Sequence, residues 1–196
     1  MVRRLGWGRD TFAPAAGGAA GGRVEQVILV DENDREIGVA EKLEAHRGGG
    51  QLHRAFSIFL FDPGGAMLLQ LRARGKYHFG GLWTNACCGH PRPGEGLQEA
   101  ARRRLGEELG IQVELREVFS LRYTARDLGS GLTECELDHV LVGSFDGEAR
   151  PDPAEVDEVR WIACGDLERD VDAHPERYTP WFAEILARLP ELRRAA

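Results

Sequence analysis

Between residues 94 and 110 the apolar positions change period: Leu97, Ala100, Ala101, Leu105 and Leu109 fall at i, i+3, i+4, i+8 and i+12. That is the spacing of one face of an α-helix. Gly110 follows the last of them, at the place where a helix end commonly requires φ > 0. On both sides of this segment the chain reads as strands. Short apolar runs recur at VEQVILV from Val24, AFSIFLF (55–61), AMLLQLRA (66–73), VELREVFSLRYTA (113–125), ELDHVLVGSF (136–145) and EVRWIA (158–163). Asp62-Pro63-Gly64-Gly65 between two of them is hairpin chemistry, because Pro presets its own φ and Gly supplies φ > 0. A second helix is expected from Thr179 as N-cap and Pro180 at N1, burying Trp181, Phe182, Ile185, Leu186 and Leu189. Helices set among strands in this way imply a mixed sheet flanked by helices.

The chain of 196 residues is 42% hydrophobic and 29% charged, enough apolar mass for one core. One domain over 24–196 is expected, preceded by a flexible extension over 1–23 whose Gly, Arg, Asp and Pro interrupt any continuous apolar segment. No run approaches the roughly 18 apolar residues of a membrane span. With 25 Lys+Arg against 32 Asp+Glu the net charge is −7, so neither nucleic acid nor an anionic membrane is an expected partner. Any bound phosphate must meet a local cluster of cations. Cys87, Cys88, Cys135 and Cys164 have the spacing of neither a disulfide framework nor a zinc site, and fit reduced thiols in a cytoplasm.

The helix carries a dense polar face: Gly89-His90-Pro91-Arg92-Pro93-Gly94-Glu95, then Arg102-Arg103-Arg104-Leu105-Gly106-Glu107-Glu108-Leu109-Gly110-Ile111. This resembles the Nudix box, with Gly89, Glu95, Arg103, Leu105, Glu107, Glu108, Gly110 and Ile111 matching and Arg104 standing where the box has its first helical Glu. Thr84-Asn85-Ala86-Cys87-Cys88-Gly89-His90-Pro91 is similar to the TNxxCGHP segment of type 1 isopentenyl-diphosphate isomerases, members of the Nudix superfamily. Glu134-Cys135-Glu136 matches their ExE segment, His46 and His53 their two-histidine loop, and Arg72 with Lys76 their basic hairpin exit. The resemblance runs from about Val24 to Trp181 and implies an α/β (α+β) sandwich of Nudix type, α/β/α with a mixed sheet. It also implies an enzyme that interconverts isopentenyl and dimethylallyl diphosphate.

The residue types suit that chemistry. Glu134 and Glu136 are two apart on an expected strand, so their carboxylates share a face that Cys135 does not. Cys88 and His90 share a face in the same way if their segment is extended. His46, His53 and His90 with Glu134 and Glu136 make five N/O donors, a set for Mn²⁺ or Zn²⁺, whereas Mg²⁺ prefers oxygen. His78, His139 and His174 match no ligand of the family and are read as surface or core residues.

Moving a double bond from C3=C4 to C2=C3 requires one proton delivered to an alkene carbon and another removed, through a tertiary carbocation. The resemblance puts Cys88 on one side and Glu136 on the other, with Tyr123 near the carboxylate and Trp161 facing the cation. It assigns Lys42, Arg72, Lys76 and Arg104 to the diphosphate, with Mg²⁺ held by Glu108 and the diphosphate oxygens. The expected partner is therefore a small-molecule diphosphate, met by a monomer or weak dimer. Two other readings stay open: a Nudix hydrolase of a nucleoside or prenyl diphosphate, against which Arg104 counts, and a catalytically silent Nudix binding module, against which Cys88, Glu134 and Glu136 count.

Overall fold

The computed structural model describes residues 24–196; the extension expected over 1–23 lies outside the described residues. Its centre is a nine-stranded mixed sheet. The hydrophobic run at 55–61 becomes β3 (His53–Phe61), in which Phe56, Ile58 and Leu60 face one side while Phe59 and Phe61 face the other, all buried. A strand buried on both faces reads as a continuous apolar run. The Asp62 to Gly65 turn returns the chain antiparallel into β4 (Ala66–Arg72), with Gly65 at φ 80° and the Ala66 N–H donating to Asp62 Oδ1 at 2.8 Å.

Parallel to β3 on its other side lies β8 (Thr133–Ser144), and β7 (Arg116–Arg126) pairs antiparallel with β8. On the β4 side, β3 also pairs with β1 (Gln26–Val30) near its start and β6 (Cys87–Gly89) in its middle. The sheet is completed by β2 (Glu36–Glu41) on β1, and by β5 (Trp83–Thr84) and β9 (Val156–Ala163) on β4. The strands β2, β5 and β6 are absent from the sequence expectations. β2 has no buried residue and only Ile37 and Val39 as large apolar side chains, and the other two are too short to show a period.

The expected amphipathic helix is α2 (Leu97–Leu109), ended by Gly110 at φ 66°. Ala100, Ala101, Leu105 and Leu109 pack on Phe56, Ile58, Leu60, Leu68 and Leu141. The opposite sheet face is covered by α3 (Cys164–Ala173), α4 (Pro180–Leu186) and α5 (Leu189–Ala195), which bury Leu167, Phe182, Ile185 and Leu192 over Phe59, Met67, Leu69 and Val140. The layers are therefore helix, sheet, helix. The second helix departs from expectation at its end, because Leu189 belongs to a separate helix. Pro190 has no N–H to donate to Leu186, so the helical ladder breaks at Arg188 (φ −103°, ψ 20°). Thr179 is the N-cap by position, but its hydroxyl bonds Thr84 Oγ1 at 2.8 Å instead of a helix N–H. None of the helices in the described residues is long and apolar enough to cross a membrane.

Candidate active site and metal centre

Strand register assembles the site. In the parallel β3/β8 pair His53 lies opposite Glu136, and in the antiparallel β7/β8 pair Tyr123 lies opposite the same glutamate. One row across the sheet thus carries an imidazole, a carboxylate and a phenol, and the Tyr123 hydroxyl donates to Glu136 Oε2. Glu134, two residues earlier, shares their face as its spacing predicts, and both carboxylates are buried. The register of β6 on β3, with Phe56 opposite Gly89, brings up His90, whose Nε2 is 2.8 Å from Glu136 Oε1. His46 arrives as the C-cap of α1 (Lys42–Ala45), a single turn capped by the Glu41 carboxylate. Gly89 has a packing reason: a Cβ there would sit 2.9 Å from Phe56 Cζ and 3.1 Å from Arg104 Cγ.

His46, His53, His90, Glu134 and Glu136 each present one ligand atom, all within 4.8 Å of one another. Their hydrogen bonds fit a cation. His46 Nδ1 donates to Lys42 O at 2.6 Å and His53 Nδ1 to Gln51 O at 2.7 Å, which fixes the tautomer and leaves each Nε2 as a bare lone pair. These lone pairs face other acceptors. His46 Nε2 stands 2.7 Å from Glu134 Oε2, yet both atoms are buried with no hydrogen-bond partner among the described residues. Five converging acceptors in a buried space repel one another unless a positive charge lies between them.

The imidazoles and carboxylates also shift one another's ionisation: burial lowers His46, but Glu134 beside it prevails and raises it. Burial raises the Glu134 carboxyl, but the imidazoles of His46 and His78 outweigh it and hold Glu134 well below the usual carboxylate range. Glu136 is likewise lowered: burial and the Glu134 charge oppose ionisation, and the imidazoles of His53 and His90 prevail. Burial drives His90 down to about 4, so it stays neutral as a ligand must. The Cys88 thiol is pushed up to about 12 by burial and by the Asp138 carboxyl behind it, and so keeps its proton. Its Sγ lies 3.3 Å from Asn85 Oδ1 and 3.6 Å from Ser57 Oγ, and the Ser57 hydroxyl donates to Asp138 at 2.8 Å.

A cavity of about 330 Å³ opens onto this cluster. Cys88, Glu136 and Tyr123 line it beside Lys42, Arg72, Lys76, Arg104 and Glu108, so the structure brings together every candidate cation and proton-handling group named above. Trp161 is elsewhere. It lies on the outer strand β9 opposite Leu68, on the α2 face of the sheet, is 37% exposed, and stacks on Phe145 with ring centroids 6.4 Å apart. The tryptophan in the cavity wall is Trp181, at the start of α4, buried against Phe79 at 5.3 Å and Tyr123 at 5.9 Å, with the Arg72 guanidinium 5.6 Å from its ring.

Three of the four cations are held by carboxylates. Lys42 Nζ is 3.1 Å from Glu25, and Lys76 pairs with Glu155. Arg104 reaches Glu107 at 2.7 Å, Glu155 at 3.1 Å and also Glu108, whose carboxylate accepts from Gln70 Nε2 at 3.2 Å. Sequence reasoning assigned no role to Glu155 and Ser57, which carry no spacing signal, to Asn85 within the motif before Cys88, or to Asp138, although it continues the two-residue spacing of Glu134 and Glu136. It set aside His78, which the structure puts in the cavity wall with Nε2 bonded to Glu134. His139 and His174 lie apart from the site, as expected: His139 is held between Asp34 and Glu117, and His174 caps α3.

Residues 51–183 match the NUDIX domain family. In fold the chain is similar to DR0079 from Deinococcus radiodurans, with a TM-score of 0.70 over 84% of this chain and 98% of that one at 20% identity. Much nearer in sequence are two isopentenyl-diphosphate Delta-isomerases. That of Halorhodospira halophila is 48% identical over 168 residues, 85% of this chain and 96% of the relative. That of Burkholderia multivorans is 53% identical over 174 residues, 88% of this chain and 98% of the relative. Identity at this level along nearly the whole of both relatives, on a Nudix fold whose helix carries Arg104 among its glutamates, shows that the chain belongs to the type 1 isopentenyl-diphosphate Delta-isomerase family of the Nudix superfamily.

Proposed function

We propose that this protein interconverts isopentenyl and dimethylallyl diphosphate, with Cys88 and Glu136 as the proton-handling pair. The observation that carries the reading is the pairing of a protonated thiol with an ionised carboxylate in the wall of one cavity whose rim bears four cations. Cys88 holds a proton for the alkene carbon, and the Glu136 carboxylate has room for the one leaving the neighbouring methylene. In the reverse direction the roles exchange. Tyr123 orients Glu136 by donating to Oε2, leaving Oε1 on the side of His53 and His90. The tertiary cation needs a wall without nucleophiles, and the face of Trp181 beside Tyr123 and Phe79 suits it.

Lys42, Arg72, Lys76 and Arg104 bind the diphosphate. Arg72 is the best prepared of them: its guanidinium donates to the carbonyls of Phe79 and His78 at 3.1 and 3.2 Å and has no carboxylate partner among the described residues. His46, His53, His90, Glu134 and Glu136 would hold a first-row ion; five N/O donors suit Mn²⁺ better than Zn²⁺, which settles at four. Glu108 would hold Mg²⁺ together with the diphosphate oxygens. When bound, these ions supply positive charge against the Glu134/Glu136 pair and against the diphosphate. The four free cysteines support a reducing compartment, the cytoplasm.

The test is to incubate the protein with isopentenyl diphosphate and Mg²⁺ in deuterated water. Dimethylallyl diphosphate labelled in the methyl derived from C4 is expected. Released phosphate would indicate a hydrolase instead, and no turnover a binding module.

A further inference from the structure

His78 lies in the loop that joins β4 to β5, which also contributes Lys76. Its ring is buried, and Nε2 is hydrogen-bonded to Glu134 Oε1. The other ring nitrogen, Nδ1, has no partner among the described residues, so the carboxylate is the one polar group the ring serves there. Glu134 points its second oxygen, Oε2, at His46 Nε2 and thus into the ligand cluster. His78 itself is outside the five-residue ligand set.

The backbone around His78 is held from several directions. Its carbonyl and that of Phe79 both accept from Arg72, at 3.2 and 3.1 Å. Phe79 sits at φ +49°, a left-handed conformation costly for a bulky residue, and its N–H donates to the Asp127 carboxylate at 3.3 Å. Strain of this kind persists where the surroundings over-determine it and concentrates at functional sites. Here it places one imidazole against one carboxylate.

We propose that His78 is a positioning residue of the metal centre, donating Nε2–H to Glu134 Oε1 so that Oε2 is aimed at the ion. The inference rests on the metal reading above and extends it to a residue outside the ligand set. A carboxylate held by one oxygen loses the rotational freedom that would otherwise be lost on binding, and partners of this kind typically carry 10- to 100-fold of a metal site's affinity. The loop that supplies it also carries the carbonyls holding Arg72, so the metal side and the diphosphate side of the cavity are fixed by the same few residues.

The test measures Mn²⁺ binding by the metal-stripped full chain against a competing chelator, with no substrate present. His78→Phe keeps a buried ring but removes the donor; His78→Gln keeps an N–H in reach of Glu134. The expected result is a dissociation constant raised about 10- to 100-fold for His78→Phe, near wild type for His78→Gln, and unchanged for the remote control His174→Ala. Unaltered affinity in His78→Phe would overturn the inference, as would a Gln variant as weak as the Phe variant. Wild-type protein that takes up no Mn²⁺ would overturn the metal reading and this inference with it.

Discussion

Cys87 and Cys88 are neighbours in β6 that face opposite sides of the sheet: Cys87 is fully buried in the core under α2, while the Cys88 thiol lines the cavity 3.3 Å from Asn85 Oδ1. Adjacent strand residues diverge in this way, so only Cys88 can meet a substrate.

Cys88→Ala should lower turnover by about 10² to 10⁴, the usual cost of a lost general acid or base, with stability little changed. Cys87→Ala should do the reverse, costing on the order of 1 kcal/mol with turnover nearly intact. Steady-state rates beside urea unfolding curves check both, and a folded but inactive Cys87→Ala enzyme would contradict the orientation of β6.

The two tryptophans give a second contrast. Trp161→Ala should change kcat less than about twofold and stability by roughly 0.5 kcal/mol, as at other exposed positions. Trp181→Phe keeps an aromatic face but a weaker one. It should reduce kcat about 2- to 30-fold, the rate equivalent of the 0.5–2 kcal/mol of a cation–π contact. Equal effects of the two substitutions would remove Trp181 from the cavity wall.

Arg104→Glu would restore the usual Nudix glutamate and set it against Glu107, Glu108 and Glu155, all now within reach of the arginine. The Michaelis constant for isopentenyl diphosphate should rise at least about tenfold, the equivalent of one charge-assisted hydrogen bond of about 1.5 kcal/mol. An unchanged value would make Arg104 a structural partner of Glu155 rather than a diphosphate contact.

Metal should act on stability as well as on rate. An ion bound by the folded chain alone raises stability by about 2.7 kcal/mol at a hundredfold excess over its dissociation constant, so stripping with a chelator should lower the melting temperature and Mn²⁺ should restore it. Calorimetry of the stripped and reloaded protein decides this independently of any assay, and an unshifted transition would contradict the ligand cluster.

Glu95 offers a prediction in pH. The Arg103 guanidinium hydrogen-bonds it and holds its carboxyl below the usual value. A group with a depressed folded pKa contributes stability that is present above the ordinary carboxylate range, near 4.3, and is lost as pH falls through the folded value. Glu95→Gln should therefore destabilise the protein by roughly 1 kcal/mol at pH 7, and the gap to wild type should narrow below about pH 4. A gap independent of pH would assign the effect to something other than this ion pair.

Local pattern carried the frame. The period of Leu97 to Leu109 and the following Gly110 gave α2 with its end, and the turn at Asp62 gave the β3/β4 hairpin. The two-residue spacing of Glu134 and Glu136 put both carboxylates on one face, because strand pleat is a property of neighbouring residues. Where the local signal was thin, elements went unseen. In α3 only Cys164, Leu167 and Val171 repeat at helical spacing, and β6 has three residues. The motifs about Cys88 and Glu108 identified the family's residues but not their contacts.

What the sequence determined by itself is the set of groups: three imidazoles, two paired carboxylates, a thiol before Gly-His-Pro and a cation amid helical glutamates. Tertiary structure alone decided which of them meet. That Glu136 lies between His53 and Tyr123 follows from a parallel pairing on one side and an antiparallel pairing on the other, and a slip of one residue in either would turn the partners to opposite faces. That Trp181 and not Trp161 walls the cavity, and that His78 bears on Glu134, depends in the same way on register and packing between segments far apart in the chain. A spacing in sequence reports only the geometry of adjacent peptide units, whereas convergence at a site is set by long-range pairing that no local pattern encodes.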